Sequence, residues 1–181
     1  MRYENRNIHP MKKLLYSLII LFFMMSCEDD KGDPIYTGNQ LEYNLFQASD
    51  FNYSGKLLVK EAFGGELILE IELKGDKDSE AYFFPAHLHF GSYDTVDAPM
   101  AFILEPVDIR TLKSSTVLGT LSNGETLTFE AFKNFDGHIK VHLAESGPDY
   151  LVILAVGNIG ANADENAAFD KDEISICLPS F

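Results

Sequence analysis

Two pairs of histidines give this sequence its first sign of chemistry. His87 and His89 are separated by one residue in PAHLHFGSYD, and His138 and His142 are separated by three residues in DGHIKVHLAESG. Side chains alternate between the two faces of a β-strand, so residues two or four apart lie on one face. We therefore predict that each pair points to the same side of its strand, away from the apolar residues that alternate with it.

If the two strands pair, two or three of these imidazoles converge on one patch of the sheet. Neutral imidazole is the commonest protein ligand for copper and zinc. His87, His89 and His142 are therefore candidate metal ligands, and His138 is a candidate fourth ligand. Two alternatives stay open: the histidines fill polar positions on a solvent-facing sheet surface, or they serve an acid–base or small-ligand role.

Other arrangements of reactive side chains in the sequence are weaker. Ser146 lacks the strand–turn–helix context of a nucleophile elbow, and Cys177 has no histidine near it in the sequence. Asp94 and Asp97 follow the first histidine pair, but acidic residues are frequent throughout the chain, and we interpret these two as loop residues. The sequence contains no glycine-rich phosphate-binding loop. We therefore assign no catalytic residue.

The elements that must position the histidines are predicted to be short strands joined by turns. ELILEIELKG, residues 66–75, alternates apolar and polar side chains as a half-buried strand does. Gly64 and Gly65 precede it and predict a tight hairpin, because both can take positive φ. Pro85 marks an edge or a bulge, because proline cannot donate to a strand ladder.

Later segments complete the expected fold. TLTFEAFKNF predicts a short helix over one end of the sheet, and YLVILAVGNIG predicts a central strand covered on both faces. NADENAAFDKDE is expected to be a solvated loop. EISICLPSF is expected to be a last strand, with Ile174, Ile176 and Leu178 inward and Cys177 opposite. Seven or eight strands predict one all-β domain, an antiparallel sandwich or flattened barrel.

The first residues are predicted to export and anchor the domain. MKKLLYSLIILFFMMSC, residues 11–27, has a basic start, an apolar stretch and a small residue before Cys27, and it resembles a bacterial lipoprotein signal. That resemblance implies acylation of Cys27, which becomes the mature N-terminus. Met11 is then the true start, and residues 1–10 are an upstream extension. The alternative, an uncleaved anchor, also tethers the domain to a membrane.

Domain boundaries and location follow from this signal. We expect the extension and signal over residues 1–26, an acidic tether over 27–40 and a β-sandwich domain over 41–181. The tether begins with EDDKGDP, which resembles the surface-export signal of lipoproteins from Bacteroidetes-type bacteria; the alternative is a plain charged spacer. The expected location is the outer membrane of the bacterial cell envelope, with the domain exposed on the surface.

Charge restricts the partners of the mature chain. Without residues 1–26 the chain has 10 Lys and Arg against 27 Asp and Glu, a net charge of −17. This charge repels phosphate backbones and anionic headgroups, which argues against nucleic-acid binding and leaves the lipid anchor as the expected membrane contact. The sequence does not identify a protein or small-ligand partner. With Cys27 acylated, only Cys177 remains, so no disulfide forms within the chain.

The two histidine motifs also carry a family resemblance. FPAHLHFG followed by GHIKVHL resembles a chordin-type (CHRD) domain over about residues 55–162, although Phe90 precedes the glycine and GNIGAN stands where that family has G-E-I-R-G. The same residues resemble copper/zinc superoxide dismutase, in which an H-x-H and a later V-H supply copper ligands. The resemblance implies a Greek-key, superoxide dismutase-like barrel and copper as the cofactor of His87, His89 and His142.

Departures from the dismutases limit the implied activity. No histidine lies between His89 and His138, so the zinc subsite is absent. Arg110 is the only arginine after Cys27, and it is not near the C-terminal strand, where the dismutases place an arginine that guides superoxide. We expect an exported, membrane-anchored, non-enzymatic binding or envelope module. The alternative is a copper-binding, redox-active domain.

Overall fold

The fold is an eight-stranded antiparallel barrel. The structure is a computed structural model that describes residues 34–176, and the compact barrel unit begins at Ile35. The prediction of an all-β, antiparallel chain with a flattened-barrel option is therefore confirmed at that level. The strands are β1 Tyr36–Gln47, β2 Ser54–Ala62, β3 Leu67–Lys74, β4 Phe83–Phe90, β5 Met100–Asp108, β6 Lys113–Leu118, β7 Asp136–His142 and β8 Ile153–Gly160.

The strand order brings the two histidine strands together. Around the barrel the order is β1-β2-β3-β6-β5-β4-β7-β8, and β8 pairs with β1 to close it. The chain passes from β3 to β4, and from β6 to β7, by connections that each skip two strands. These connections place β4 beside β7, although the two strands are far apart in the sequence. The pairing of the two histidine strands, which the sequence left as a condition, is present in the structure.

The barrel interior is filled by apolar residues that alternate along each strand. Leu69 and Ile71 of β3, Leu88 of β4 and Ile139 of β7 are all at most 1% exposed and belong to one cluster. Burying one such side chain stabilises the folded state by about 1.5–3 kcal/mol. Because these residues take the inner positions, the polar residues between them, histidines included, lie on the outer face.

A short helix, α1 (Phe129–Phe132), lies where the sequence predicts it, in the connection between β6 and β7. Thr128 caps its first turn through the side-chain oxygen. Phe132 is fully buried in the core cluster. The backbone of Phe132 and Phe135 lies against Gly160 at the end of β8, so the helix packs over that end of the barrel.

Two local backbone predictions are also confirmed. Gly64 and Gly65, with φ of 125° and 86°, form the turn that joins β2 to β3. The pairing of β4 with β5 shifts register between Phe84 and Ala86, which places Pro85 at a bulge. β4 has a strand on both sides, so the bulge, and not an edge, accommodates the proline.

The first strand begins earlier than the sequence indicates. Residues 36–40, which the predicted boundary assigns to the tether, form the start of β1. The side chains of Thr37 and Asn39 donate to the carboxylate of Glu61 on β2 at 2.9 and 2.8 Å. Polar side chains hold this segment in the sheet, so its sequence has no apolar alternation. For that reason the sequence resembles a tether.

The C-terminal prediction is wrong over its described part. Residues 174–176 do not form a strand, since β8 closes on β1 and leaves no free edge there; Cys177 and Leu178 lie outside the described residues. The preceding segment, expected to be a solvated loop, forms 3-10 turns at Ala163–Ala168 and Lys171–Glu173. Phe169 between these turns stacks on Phe46 of β1, with ring centroids 4.6 Å apart.

Over residues 34–176, none of the helices combines the length and the apolar character that crossing a bilayer requires. The predicted signal segment, including Cys27, lies outside this range. Its export and acylation therefore stay predictions.

Candidate metal centre

The four histidines of the two pairs lie on the outer face of the strand pair formed by β4 and β7. In the register of these strands His89 is opposite His138, and His87 is opposite Lys140. Directly opposed residues share a face. The residues between them, such as Leu88, point into the core. The prediction that the two histidine pairs face one side is therefore confirmed.

Three of the histidines form a compact group. One ring nitrogen from each of His87, His89 and His142 lies within 4.8 Å of the other two. The ring centroids of His87 and His142 are 5.1 Å apart, and those of His87 and His89 are 5.9 Å apart. Two strands thus deliver three imidazoles to one point, as the spacing predicts.

The group is buried, which corrects the alternative of a solvent-facing surface. His87 is 8% exposed, and His89 and His142 are each 1% exposed. A second apolar cluster lies on this outer face, where Tyr93 from the loop after β4 packs with Ile153 and Val156 of β8. Burial of polar rings costs free energy unless hydrogen bonds or a ligand satisfy them.

Backbone carbonyl groups fix the orientation of two of the three rings. His142 Nδ1 donates to the carbonyl oxygen of Tyr150 at 2.7 Å, and His89 Nδ1 donates to that of Ala98 at 3.2 Å. These bonds put the proton on Nδ1 and leave Nε2 as the ligand atom, the usual arrangement in metal-binding histidines. The ring of Tyr150 also stacks on His142 at 4.5 Å and 5°, which holds the imidazole from its face.

Buried ring nitrogens without hydrogen bonds point to a ligand. His87 Nδ1 and His142 Nε2 are both buried and have no hydrogen-bond partner among the described atoms. Such atoms are rare in native proteins and call for an explanation. A bound ion would satisfy both, through Nδ1 of His87 and Nε2 of His142.

His138 is not part of the group. Its Nδ1 donates to the carbonyl oxygen of Gly91 at 2.7 Å, and its ring stacks on His89 with centroids 4.9 Å apart and planes 9° apart. Stacked parallel rings do not direct their nitrogen lone pairs at one ion. The structure therefore does not place the candidate fourth ligand with the other three, although spacing alone allowed it.

The histidines are neutral at physiological pH. Burial lowers the pKa of His87 and His142 to about 4, and that of His89 and His138 to about 3. For His89 the neighbouring His138 adds to this effect. The neutral imidazole is the form that binds a metal ion. Loading the site therefore requires no deprotonation at pH 7.

The three residues fit a first-row transition-metal ion. Nitrogen ligands at about 2.0–2.1 Å from one ion lie about 3.4 Å apart, so nitrogens that are up to 4.8 Å apart need to close by about 1.4 Å to share it. Small side-chain rotations provide such a change. Within residues 34–176 no Asp, Glu or Cys joins the group, so the ligand set is three neutral nitrogens.

The other candidate residues lie elsewhere. Asp94, Asp97 and Ser146 are exposed loop residues outside the group. Arg110 lies in the turn between β5 and β6, where its guanidinium is paired with Asp108 at 2.6 Å. Sequence reasoning missed Tyr150, because nothing in its local pattern links it to His142.

Comparisons of the chain with protein-family models, with curated proteins and with solved structures find no match. Because one fold can host many activities, the residues of the site are the better indication of function. The fold and the site together define the chain as an antiparallel β-barrel with a buried three-histidine cluster on its outer face.

Proposed function

We propose that this protein binds a single copper ion through His87 Nδ1, His89 Nε2 and His142 Nε2. The observation that carries the proposal is the convergence of three buried, neutral imidazoles within 4.8 Å. Copper is favoured because imidazole nitrogen is a ligand that suits it and because, among the described residues, no carboxylate or thiolate joins the three rings. The two bonds to backbone carbonyls hold the ligand rings in position.

The proposed role is binding and not dismutation. The chain lacks a zinc subsite in its sequence, and Arg110 is held by Asp108 away from the histidines. The excess of acidic residues repels superoxide, an anion. A copper-binding module of the cell envelope fits these features better than a fast redox enzyme.

Kinship with the CHRD and superoxide dismutase-like barrels is part of this proposal. Two connections that each skip two strands support a Greek-key barrel of that kind, and the positions of His87, His89 and His142 support the shared ligand pattern. The absence of a zinc subsite would make this chain a copper-only variant of the pattern.

Copper titration tests the proposal. The full-length chain in detergent should bind one equivalent of copper, measured by equilibrium dialysis and metal analysis. Ala substitution at His87, His89 or His142 should each abolish stoichiometric binding, because two nitrogens do not hold the ion in a site built for three.

His138→Ala is the matched control for this titration. It removes a buried imidazole from the same sheet face, but not one of the three grouped ligands. We expect it to retain one equivalent of copper. Binding that survives in the three ligand variants, or that is lost equally in His138→Ala, would contradict the assignment.

We also propose that acylated Cys27 tethers the barrel to the outer membrane. The support is the signal-like sequence before Cys27 and the acidic stretch after it. Cys27→Ser should move the protein from the membrane pellet to the soluble fraction, measured by fractionation and immunoblotting, while Cys177→Ser stays in the pellet. Equal pelleting of both variants would show that something other than a lipid holds the protein.

A further inference from the structure

A lysine is buried on the same face as the metal ligands. Lys140 lies on β7 between His138 and His142, opposite His87 on β4, and its side chain is 0% exposed. Its Nζ donates to the carbonyl oxygen of Ser175 at 2.5 Å. Lysine is almost never fully buried unless it is paired, so a charged group at this position is an unusual feature of the face.

The ammonium group acts on the histidines electrostatically. Its charge is one cause of the lowered pKa values of His89, His138 and His142, although burial is the larger cause. The same charge opposes any cation bound between the ligands. This opposition grows with the charge of the ion, so it is about twice as large for a divalent ion as for a monovalent one.

The three ligands also favour a monovalent ion over a divalent one. Three neutral imidazoles bring no negative charge to compensate a dication in a buried place, and over residues 34–176 no carboxylate joins them. Zinc takes four ligands, so on three imidazoles it needs a water molecule as the fourth ligand. Number of donors, neutrality and burial therefore all favour the ion of lower charge.

We propose that the site is selective for cuprous copper over divalent ions and that Lys140 is a specificity-determining residue for this choice. The inference rests on the proposed copper-binding function. It goes beyond that function by naming the oxidation state and the residue that selects it. Lys140 does not coordinate the ion. Its positive charge repels the bound ion electrostatically.

The direct test is competition between two ions on the otherwise native chain. The full-length protein, with Cys27→Ser and Cys177→Ser in every sample so that thiols do not compete, is loaded anaerobically with copper(I) from a colorimetric cuprous chelator. An excess of zinc chloride is then added. We expect the copper(I) to stay bound at one equivalent, and displacement by zinc would overturn the proposal.

Lys140→Met and Lys140→Arg separate charge from shape. Removal of one positive charge on the order of 10 Å from the ion, at an effective dielectric of about 20, should raise zinc affinity relative to copper(I) affinity by on the order of 10- to 100-fold in Lys140→Met. Lys140→Arg keeps the charge and should keep the selectivity. An unchanged ratio in Lys140→Met would overturn the role of the lysine.

The outcomes keep the two proposals distinguishable. If neither ion binds, the proposed function fails. If zinc and copper(I) bind equally well through the three histidines, the proposed site stands and the selectivity fails. Should Lys140→Met not fold, as circular dichroism would show, the competition on the protein with native Lys140 still decides the selectivity.

Discussion

Lowering the pH from 7 to 5 is expected to unfold the metal-free protein. Four buried histidines on one sheet face have pKa values lowered to about 3 or about 4, mainly by burial. In the unfolded chain each returns to a value of about 6.5. Between these values the unfolded state binds more protons than the folded state, so acid favours unfolding.

The sign and size of the effect follow from this difference. The contribution of the histidines to stability is fully present above pH 6.5 and is lost as the pH falls toward the folded-state values. Each histidine contributes about 1.4 kcal/mol per pH unit in that window, and four give roughly 5 kcal/mol per unit. The free energy of unfolding of a typical domain is about 5–15 kcal/mol, so a loss of this size unfolds many proteins within two pH units.

Urea denaturation at pH 7.0, 6.0 and 5.5, followed by circular dichroism, measures this slope. His138→Phe keeps an aromatic ring against His89 but removes one titrating group. Its unfolding free energy should fall with pH about one quarter less steeply than that of the native chain. Equal stability at pH 7.0 and 5.5, or an unchanged slope in His138→Phe, would contradict the buried, neutral state of these histidines.

Copper should oppose this acid unfolding. An ion bound only to the folded state stabilises it in proportion to the logarithm of its concentration over the dissociation constant. The folded-state pKa values of about 4 for His87 and His142 and about 3 for His89 keep these rings unprotonated above pH 5, so protons do not displace copper from the folded chain. The stabilisation by copper should therefore be equal at pH 7.0 and 5.5, and the folded fractions of the metal-free and loaded forms should differ most at the lower pH, where the metal-free form unfolds.

Local pattern was sufficient for much of the fold and for the ligand trio. Alternation along β4 and β7 places His87, His89 and His142 on the face opposite Leu88 and Val141, and the structure has them there. The glycine pair and the short helix were equally predictable, because each depends on a few adjacent residues. Strand periodicity thus predicts the face to which each side chain points, and two ligands on one strand must share that face.

Burial of the site was not predictable from such patterns. It depends on loops held down by distant contacts: Asn158 on β8 accepts from the amide of Tyr93 at 2.9 Å and donates to Ser92 at 2.9 Å. Tyr93 in turn accepts the amide hydrogen of Ser175 through its carbonyl oxygen. The two partners of each of these bonds are 65 or more positions apart in the sequence and share no motif. The sequence therefore indicates a polar outer face where the structure has a covered one.

The role of His138 shows a second limit. A spacing of four residues puts His138 and His142 on one face, and this made His138 a candidate ligand. Membership of a metal site also depends on ring orientation, and the ring of His138 is committed to the carbonyl group of Gly91 and to stacking on His89. Spacing predicts the face of a strand, and only the surrounding contacts decide where a nitrogen points.

Phe132→Ala is expected to destabilise the barrel by about 3–5 kcal/mol. Phe132 is 0% exposed, and its ring packs near Tyr43 and Phe135 with centroids 6.3 and 6.1 Å away. It is the buried end of α1, which fills the barrel end beside Gly160. Removing the ring leaves a cavity. The strands on either side hold the backbone in place, so the barrel end cannot collapse to fill the cavity and recover the lost packing free energy.

Urea denaturation of the variants at pH 7 measures the effect, and two controls define its cause. Phe132→Leu keeps most of the buried volume and should cost less than about 1.5 kcal/mol. Phe63→Ala removes the same ring from the turn between β2 and β3, where Phe63 is 69% exposed, and should change stability by no more than about 0.5 kcal/mol. If Phe132→Ala were as mild as Phe63→Ala, then α1 would not close the core. The barrel would have to draw its stability from the strands alone.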